Sequence, residues 1–208
     1  MNDAFDVLMF DLGGVLVELG GVSDMLHLTN DALSADELWR QWLRSPTGRA
    51  FESGRMDPSS FAQGMVEEFQ LSISPEAFLQ RFSNWLGPLS PGALDLLDEL
   101  SGRYPLACLS NTNALHWTRM ADDMELGRRF DYAFPSHRTG RVKPDLDAFL
   151  HPLESMGVAA ARVLYFDDHP LNVEAAARAG LRAFRVNGAA AVRDCLVRQG
   201  VSCQARRR

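Results

Sequence analysis

The chain has few cysteines and no spacing that pairs them. Of its 208 residues only Cys108, Cys195 and Cys203 are cysteines, an odd number without a CxxC motif. This excludes a disulfide framework and a cysteine-based zinc site as the organising feature of the fold. Cys108 lies within an apolar run, where a small buried hydrophobic residue is expected.

Basic charge and long apolar runs are also scarce. The formal net charge is -6, and the only basic run is Arg206–Arg208, whereas nucleic-acid partners need basic faces. No apolar run approaches the roughly 18 residues of a membrane-spanning helix, and no basic region precedes the first apolar segment as in a signal peptide. We therefore expect a cytoplasmic protein without nucleic-acid or membrane partners, either a monomer or a homodimer.

What the chain does have is enough apolar residues, 46% of the total, for a sizeable core. The apolar run Val7–Phe10 predicts a buried strand, and it ends in Asp11, followed by the turn-forming Gly13 and Gly14. Ligands bind at the carboxyl ends of strands in open α/β sheets, so a nucleophile or metal ligand is expected here. Taken alone, Asp11 is equally well explained as the start of a turn.

From Pro91 onward, strand-like and helical segments alternate, which predicts a parallel sheet with crossover helices. The predicted strands are Leu106–Leu109, a short strand near Tyr132–Phe134, Val163–Phe166 and Arg182–Val186. The expected fold class is therefore α/β.

Between the first strand and Pro91 the pattern is helical and contains no convincing strand. Ser34–Glu37 has capping-box spacing, and in Asp57–Pro58 and Ser74–Pro75 a capping residue precedes a proline at the first helical position. Ser90–Pro91 repeats this device at the start of the next helix. The segment 19–88 is therefore predicted to be an all-helical module inserted after the first strand.

Four polar groups follow the predicted strands or lie in the adjoining loops: Asp11, Ser110–Asn111, Lys143 and Asp167–Asp168. Carboxylates that meet in space suit a hard cation, and Mg²⁺ typically takes one or two carboxylates together with substrate phosphate. A lysine, a hydroxyl and the N–H groups of a helix start hold phosphate oxygens. An aspartate placed there can act as a covalent nucleophile that forms an aspartyl phosphate. Together these groups predict a phosphate site with its metal.

Each of these residues also has a simpler explanation. Ser110 can cap a helix, Lys143 can be a surface lysine before a proline turn, and His169 and Asn172 can cap the helix that follows. The pair Asp167–Asp168 is harder to explain without a cation, because adjacent carboxylates at a strand end repel each other. The simpler explanations would all have to hold at once, which favours the phosphate site.

These residues resemble the four motifs of the haloacid dehalogenase superfamily. The segments that carry the resemblance are Phe10–Val15, Leu109–Asn113, Lys143–Asp145, and Phe166–Asp168 with Asn172. It covers nearly the whole chain and implies a Rossmann-like three-layer αβα sandwich with a parallel sheet, formed by residues 1–18 and 89–208, plus an inserted all-helical cap domain at 19–88. Arg49–Gly54 and Leu109–His116 are similar in particular to the branch that holds bacterial α-D-glucose-1-phosphate phosphatases and the N-terminal phosphatase domain of soluble epoxide hydrolases.

The resemblance implies a phosphatase that acts on a small phosphorylated metabolite through an aspartyl-phosphate intermediate. It implies that Asp11 is the nucleophile and that Ser110 and Lys143 hold the transferring phosphoryl group, with Asn111 also binding the substrate. The cap residues that we expect to line the substrate cavity are Glu18, Trp39, Arg44, Phe51, Glu52 and Arg55.

The resemblance also implies Mg²⁺ as the cofactor. Asp11 and Asp168 are the implied side-chain ligands, and the backbone carbonyl of Gly13, beside the substrate, is a further ligand. Asp167 is expected to act mainly through metal-bound water.

Position 13 departs from most phosphatases of the superfamily, which carry an acid–base aspartate there. Gly13 retains the backbone carbonyl but has no side chain that could protonate the leaving group. Because general acid–base catalysis supplies about 10²- to 10⁴-fold, we expect a slower enzyme and not an inert one. Either the leaving group departs easily, as in an anomeric sugar phosphate, or His169 or Glu52 supplies the proton. A phosphomutase is disfavoured for the same reason.

Two other functions remain open. A 2-haloacid dehalogenase would share the fold and the aspartate nucleophile, but it needs no metal, and Leu12–Val22 contains no arginine to hold a departing halide. A weakly active regulatory protein that binds a phosphorylated ligand would be favoured only by Gly13.

Overall fold

The computed structural model describes residues 5–29 and 32–201, so Cys203 and Arg206–Arg208 lie outside the described residues. The strands are β1 (Val7–Phe10), β2 (Val17–Leu19), β3 (Leu86–Leu89), β4 (Leu106–Ser110), β5 (Tyr132–Pro135), β6 (Val163–Asp167) and β7 (Arg182–Arg185). Five of them form a parallel sheet in the order β5-β4-β1-β6-β7. The predicted α/β fold class with a parallel sheet is confirmed.

The first strand, β1, lies at the centre of this sheet. Leu8 pairs with Leu106 of β4 on one side and with Leu164 of β6 on the other. All four side chains of Val7–Phe10 are buried, as expected for a parallel strand that is covered on both faces. Parallel pairing brings the carboxyl ends of β1, β4 and β6 to one edge of the sheet.

Helices cover both faces of the sheet. The helices are α1 (Gly21–Leu28), α2 (Ala35–Arg44), α3 (Pro46–Glu52), α4 (Pro58–Glu68), α5 (Pro75–Ser83), α6 (Ala93–Leu100), α7 (Ala114–Thr118), α8 (Ser136–Thr139), α9 (Leu146–Met156), α10 (Pro170–Arg178) and α11 (Gly188–Arg198). Leu97 of α6 and Val192 of α11 belong to the hydrophobic cluster on one face, while Phe149 of α9 and Ala175 of α10 belong to the cluster on the other. The three-layer αβα arrangement follows from these two clusters.

Helices α1 to α5 pack around a third hydrophobic cluster of their own. It includes Met25, Leu38, Phe61, Phe78 and Phe82, one buried side chain or more from nearly every one of these helices. This cluster explains how a segment next to the sheet keeps a fixed shape. The assignment of residues 19–88 to a separate cap domain stays a prediction.

Three of the predicted helix starts are confirmed. Ser34 and Glu37 form a complete capping box at the start of α2, the side chain of Asp57 accepts two backbone N–H bonds at the start of α4, and the hydroxyl of Ser74 caps α5. These signals are local in the sequence, which is why they could be identified there.

The prediction that the inserted segment contains no strand is wrong. β2 and β3 form an antiparallel pair in which Val17 lies opposite Leu89. Each strand has only three or four residues, and β3 contains Gly87 and Pro88, so no alternation of apolar and polar residues marks them. The chain therefore enters and leaves the helical segment through a short two-stranded ribbon.

One local prediction beyond the ribbon is also wrong. Ser90 does not cap α6, which begins after the left-handed Gly92; the hydroxyl of Ser90 instead accepts a hydrogen bond from the backbone N–H of Ala189 at 2.9 Å. Directly after β5, Ser136–Thr139 forms one helical turn. Across the described residues, no helix is both long enough and apolar enough to span a membrane.

Candidate active site at the carboxyl edge of the sheet

Side chains from separate parts of the chain converge at the carboxyl edge of the sheet. Asp11 follows β1, Ser110 ends β4, Asp167 ends β6, and Lys143 enters from the segment before α9. Nζ of Lys143 lies 3.0 Å from Oδ2 of Asp11 and 2.8 Å from Oδ2 of Asp167. Ser110 lines the cavity above them. The predicted polar groups thus form one site.

Lys143, the only lysine in the chain, is almost completely buried, with 1% of its side chain exposed. Besides the two carboxylates, its ammonium group donates to the carbonyl of Leu109 at 3.0 Å and contacts the hydroxyl of Tyr165 at 3.1 Å. Burial alone would lower the pKa of Lys143, but the charges of Asp11 and Asp167 outweigh this effect and hold the pKa above its ordinary value. Lys143 is therefore a fixed positive charge within the site.

Asp167 forms a buried ion pair with Lys143. Its carboxylate also accepts hydrogen bonds from the Tyr165 hydroxyl, from Nδ2 of Asn172 at 3.1 Å and from the backbone N–H of His169 at 2.8 Å. Burial would raise the pKa of Asp167, but the charge of Lys143 and these donors hold it below its usual range. Sequence reasoning missed Tyr165. Residues two positions apart on a strand point to the same face of the sheet, so the spacing of Tyr165 and Asp167 could have indicated this contact.

Asp11 and Asp168 are less well compensated. Burial raises the pKa of Asp11 to about 7; the charge of Lys143 opposes this shift and that of Asp167 adds to it. Burial, together with the charge of Asp167, raises the pKa of Asp168 to about 6. One lysine is thus too little positive charge for three neighbouring carboxylates.

The three carboxylates fit a metal ion of the expected kind. Asp11, Asp167 and Asp168 each offer one oxygen, and these oxygens all lie within 4.8 Å of one another. Oδ1 of Asn172, which lines the same cavity, is buried and has no hydrogen-bond partner among the described residues. An all-oxygen set with uncompensated negative charge suits Mg²⁺. The assignment of Asp11, Asp168 and the carbonyl of Gly13 as the ligands stays a prediction.

Gly14 lets the chain pass close to this carboxylate cluster. Its φ is 72°, in the left-handed region, and a Cβ at this position would lie 2.2 Å from Oδ2 of Asp168. Only glycine meets both requirements without strain. The second glycine after Asp11 therefore sets how near Asp168 comes to the first loop.

Asn111 holds Lys143 in place by its backbone. Its side-chain Nδ2 donates to the carbonyl of Lys143 at 2.9 Å, and its Oδ1 accepts from the backbone N–H of the same residue at 2.8 Å. Both polar ends of the amide are therefore engaged. The predicted contact of Asn111 with the substrate stays a prediction, and these bonds support a positioning role.

The missing acid at Gly13 has an apolar neighbour in its place. A Cβ built on Gly13 would lie 3.0 Å from Cδ1 of Leu19 on β2. Leu19 lines the cavity together with Asp11. The side chain of Leu19 thus borders the space next to Asp11. In most related phosphatases this space would hold the carboxylate of an aspartate at position 13.

The site opens into a cavity of about 150 Å³ between the sheet edge and helices α1 to α5. Its floor holds the polar groups described above, and its walls are mainly apolar, including Trp39, Trp42, Phe82 and Trp85. Trp39 was expected here from the sequence, whereas Phe51 is buried in the cluster of the helices. Glu18, Arg44 and Arg55 do not line this cavity.

Glu52 is the carboxyl group that the helical segment contributes to the cavity. Its Oε1 accepts a hydrogen bond from the indole N–H of Trp42 at 3.0 Å. Burial raises the pKa of Glu52, opposed by the Trp42 hydrogen bond and by the charge of Lys143. The structure therefore places this residue in the cavity, as the sequence led us to expect.

Two curated proteins with similar sequences are phosphatases. A sesquiterpene phosphatase of Aspergillus oryzae is 27% identical over 98% of this chain and 100% of its own length. A phosphoglycolate phosphatase of Pseudomonas fluorescens is 25% identical over 85% of this chain and 67% of its own length.

Solved structures share the fold at lower identity. A haloacid dehalogenase-family enzyme from Bacteroides thetaiotaomicron, in complex with magnesium and inorganic phosphate, is 23% identical and covers 87% of this chain and 93% of its own, with a TM-score of 0.65. The L-2-haloacid dehalogenase of Xanthobacter autotrophicus, 21% identical, covers 88% of this chain and 77% of its own, with a TM-score of 0.62. The sequence model of the haloacid dehalogenase-like hydrolase family matches residues 5–180 of this chain. The chain therefore belongs to the haloacid dehalogenase-like hydrolase family.

Proposed function

We propose that the protein is a Mg²⁺-dependent phosphatase that hydrolyses the phosphate monoester of a small molecule through an aspartyl-phosphate intermediate. The observation that carries this proposal is the cluster of three carboxylates around one buried lysine at the carboxyl edge of the sheet. A dianionic phosphate needs positive charge, and this cluster has room for a cation beside Lys143. The phosphatases among its relatives support the same activity.

Asp11 is the proposed nucleophile. One of its carboxylate oxygens forms a bond to phosphorus while the bond from phosphorus to the ester oxygen breaks, and water then cleaves the aspartyl phosphate. The N–H of Leu12 donates to Oδ1 of Asp11 at 2.7 Å and Lys143 contacts Oδ2, so the carboxylate is held in one orientation. Ser110 and Lys143 are proposed to hold the phosphoryl oxygens, with Asn111 fixing the backbone of Lys143.

Asp11, Asp168 and the carbonyl of Gly13 would hold the Mg²⁺, and Asp167 would contact it through water. When bound, the cation neutralises charge on the phosphoryl oxygens. Tyr165, His169 and Asn172 hold Asp167 beside Lys143. The positive charge of Lys143 is therefore in place before the substrate enters.

The proton for the departing oxygen is proposed to come from Glu52 or His169. Glu52 enters from α3 and His169 from the start of α10, and both line the cavity. Gly13 offers no side chain for this step. Residues 19–88 are proposed to act as a cap that closes over the substrate, and residues 1–18 and 89–208 as the catalytic core.

Within the family, the branch of α-D-glucose-1-phosphate phosphatases and a sugar phosphate as the substrate stay predictions. The relatives act, by their names, on compounds as different as a sesquiterpene and phosphoglycolate. A dehalogenase shares the fold, but the uncompensated carboxylates at Asp11 and Asp168 support a metal-dependent phosphatase.

Phosphate release from a panel of monoesters tests this proposal. We expect release that requires Mg²⁺, is abolished by EDTA and falls about 10³-fold or more in Asp11→Asn, with the surface variant Asp95→Asn as a matched control that retains full activity. Activity that survives EDTA, or an Asp11→Asn variant as active as the parent protein, would show that the mechanism is wrong. Tight binding of phosphorylated compounds without any product would identify a regulatory protein instead.

A further inference from the structure

We propose that the substrate is the phosphate monoester of an apolar alcohol, whose hydrocarbon part lies against the walls of the cavity. This inference rests on the proposed phosphatase function and names the class of its substrate. Three features of the cavity lead to it: apolar side chains outside the hydrophobic clusters, wall atoms that are already paired, and the position of one of those apolar side chains, a leucine, beside the reacting end.

Some apolar side chains of the cavity lie outside the hydrophobic clusters. Leu19, Trp39 and Leu43 all line the cavity, yet none of them belongs to the three hydrophobic clusters of the described residues. Leu19 remains 40% exposed. An apolar surface that faces a binding cavity gains free energy when an apolar ligand covers it.

Several polar atoms in the walls already have partners within the protein. The indole N–H of Trp42 donates to Glu52, and that of Trp85 donates to Asp24 at 2.9 Å. Nε2 of His116 donates to the carbonyl of Phe82 at 2.8 Å, and its Nδ1 accepts from Asn113. Among the buried side-chain atoms of the lining, Oγ1 of Thr112 and Oδ1 of Asn172 have no partner within the described residues. A sugar carries more hydroxyl groups than these two atoms can pair with, and buried hydroxyls without partners are unfavourable.

The apolar surface begins next to the reacting end of the site. Because Leu19 lies where a side chain of Gly13 would extend, hydrocarbon borders the space beside the proposed nucleophile Asp11. The whole cavity, with its polar floor, has a volume of about 150 Å³, and engineered apolar cavities of about this size take up benzene; the hydrocarbon part of the substrate is therefore small. A branched five-carbon chain or a single aromatic ring is therefore a suitable probe.

The test compares kcat/KM for three monophosphates with Mg²⁺ present. Benzyl phosphate carries an apolar group, glucose 6-phosphate carries a polar group of similar size, and acetyl phosphate reports on phosphoryl transfer with almost no side group. Covering one apolar group of this size corresponds to about tenfold to hundredfold in affinity, so we expect benzyl phosphate to exceed glucose 6-phosphate by at least that factor.

Variants of the wall identify the cause. We expect Leu43→Gln to lower kcat/KM for benzyl phosphate about tenfold, mainly through KM, and to lower kcat/KM for acetyl phosphate much less. The matched control Leu150→Gln replaces an exposed leucine of α9 and should change neither. Trp39→Gln provides a second test if Leu43→Gln fails to fold.

The outcomes separate this inference from the proposed function. If acetyl phosphate is hydrolysed with dependence on Asp11 but glucose 6-phosphate is preferred over benzyl phosphate, the apolar substrate is wrong and the phosphatase stands. If the wall variants lower kcat/KM equally for all three substrates, the wall residues serve only to maintain the structure, and the inference is also wrong. If none of the three is hydrolysed, both proposals fail.

Discussion

Gly13 and Leu19 face each other across the first turn of the chain, so closely that a Cβ on Gly13 would lie 3.0 Å from Cδ1 of Leu19. The absence of an acid–base side chain and the presence of an apolar one are therefore linked. An aspartate at position 13 would require the end of the Leu19 side chain to move.

This pair yields a prediction for restoring the acid. Gly13→Asp alone should not raise kcat for benzyl phosphate, because the new side chain meets Leu19. In a Glu52→Gln, His169→Gln background, where both proposed acids are removed, Gly13→Asp combined with Leu19→Ala should raise kcat by about 10²-fold over Leu19→Ala alone, the low end of what general acid–base catalysis supplies. Steady-state kinetics of the four proteins measure the coupling, and equal kcat values for the double variant and Leu19→Ala would contradict it.

The second prediction concerns Gly14. Gly14→Ala should reduce Mg²⁺-dependent activity strongly and destabilise the fold, because its Cβ would lie 2.2 Å from Oδ2 of Asp168. The matched control is Gly140→Ala: Gly140 has the same φ of 72°, but nothing lies within 4 Å of a Cβ there. In both variants an alanine must adopt the left-handed backbone conformation, which lowers the free energy of unfolding by about 1–2 kcal/mol.

Thermal unfolding and phosphate release separate the two effects. Gly140→Ala should lower the melting temperature only and keep its activity. Gly14→Ala should lower both, and its Mg²⁺ requirement should rise because Asp168 is displaced. Two variants with the same activity loss would show that the approach of Gly14 to Asp168 is unimportant.

The third prediction links Mg²⁺ binding to pH. The folded pKa values of Asp11 and Asp168, about 7 and about 6, lie above the ordinary 3.8, so the metal-free folded state holds protons that the unfolded state has released. These two groups therefore make the metal-free fold less stable as pH rises from about 4 to about 7. Mg²⁺ binds the ionised carboxylates and must displace those protons, so its stabilising effect grows over the same window.

The measurement is the rise in melting temperature that Mg²⁺ causes relative to EDTA, at about pH 5.5 and about pH 8. We expect a clearly larger rise at the higher pH. Taking the difference at each pH removes titrations that do not involve the metal. Asp11→Asn should reduce the pH dependence, and an equal rise at both pH values would contradict the linkage.

The fourth prediction distinguishes the two proton sources. If Glu52 protonates the departing oxygen, Glu52→Gln should lower kcat about 10²-fold for benzyl phosphate, whose leaving group needs a proton, but hardly at all for acetyl phosphate. It should also remove the decline of kcat at high pH, because burial raises the pKa of Glu52. His169→Gln serves as the parallel variant, and Glu67→Gln on α4 as the surface control. If neither cavity variant changes kcat or its pH profile, both residues are excluded as the acid.

Much of the site could be predicted because its parts follow local signals. Buried parallel strands are continuous apolar runs, and the residue at which each run ends lies at the sheet edge. Asp11, Ser110 and Asp167 were placed in this way, and the structure brings them together. Lys143 was placed by its motif alone, and its position depends on the loop that holds it.

The parts that were missed depend on contacts between distant segments. The hydrogen bonds from Asn111 to the backbone of Lys143 join residues 32 positions apart, which no local pattern reveals. The β2–β3 ribbon joins segments about seventy residues apart through strands too short to show a period of two. Of the apolar walls only Trp39 was predicted, since the orientation of Trp42 and Trp85 follows from packing among α2, α5 and their neighbours.

A chain whose only lysine is fully buried offers an unusual chemical handle. Lys143 is the single side-chain amine, and amine-reactive reagents such as succinimidyl esters modify exposed, uncharged amines. In the native site its ammonium is almost completely buried and its pKa is raised, so acylation of this residue should be slow. Mass spectrometry of the peptide that contains Lys143 would therefore report, in one signal free of other lysines, how often the active site opens.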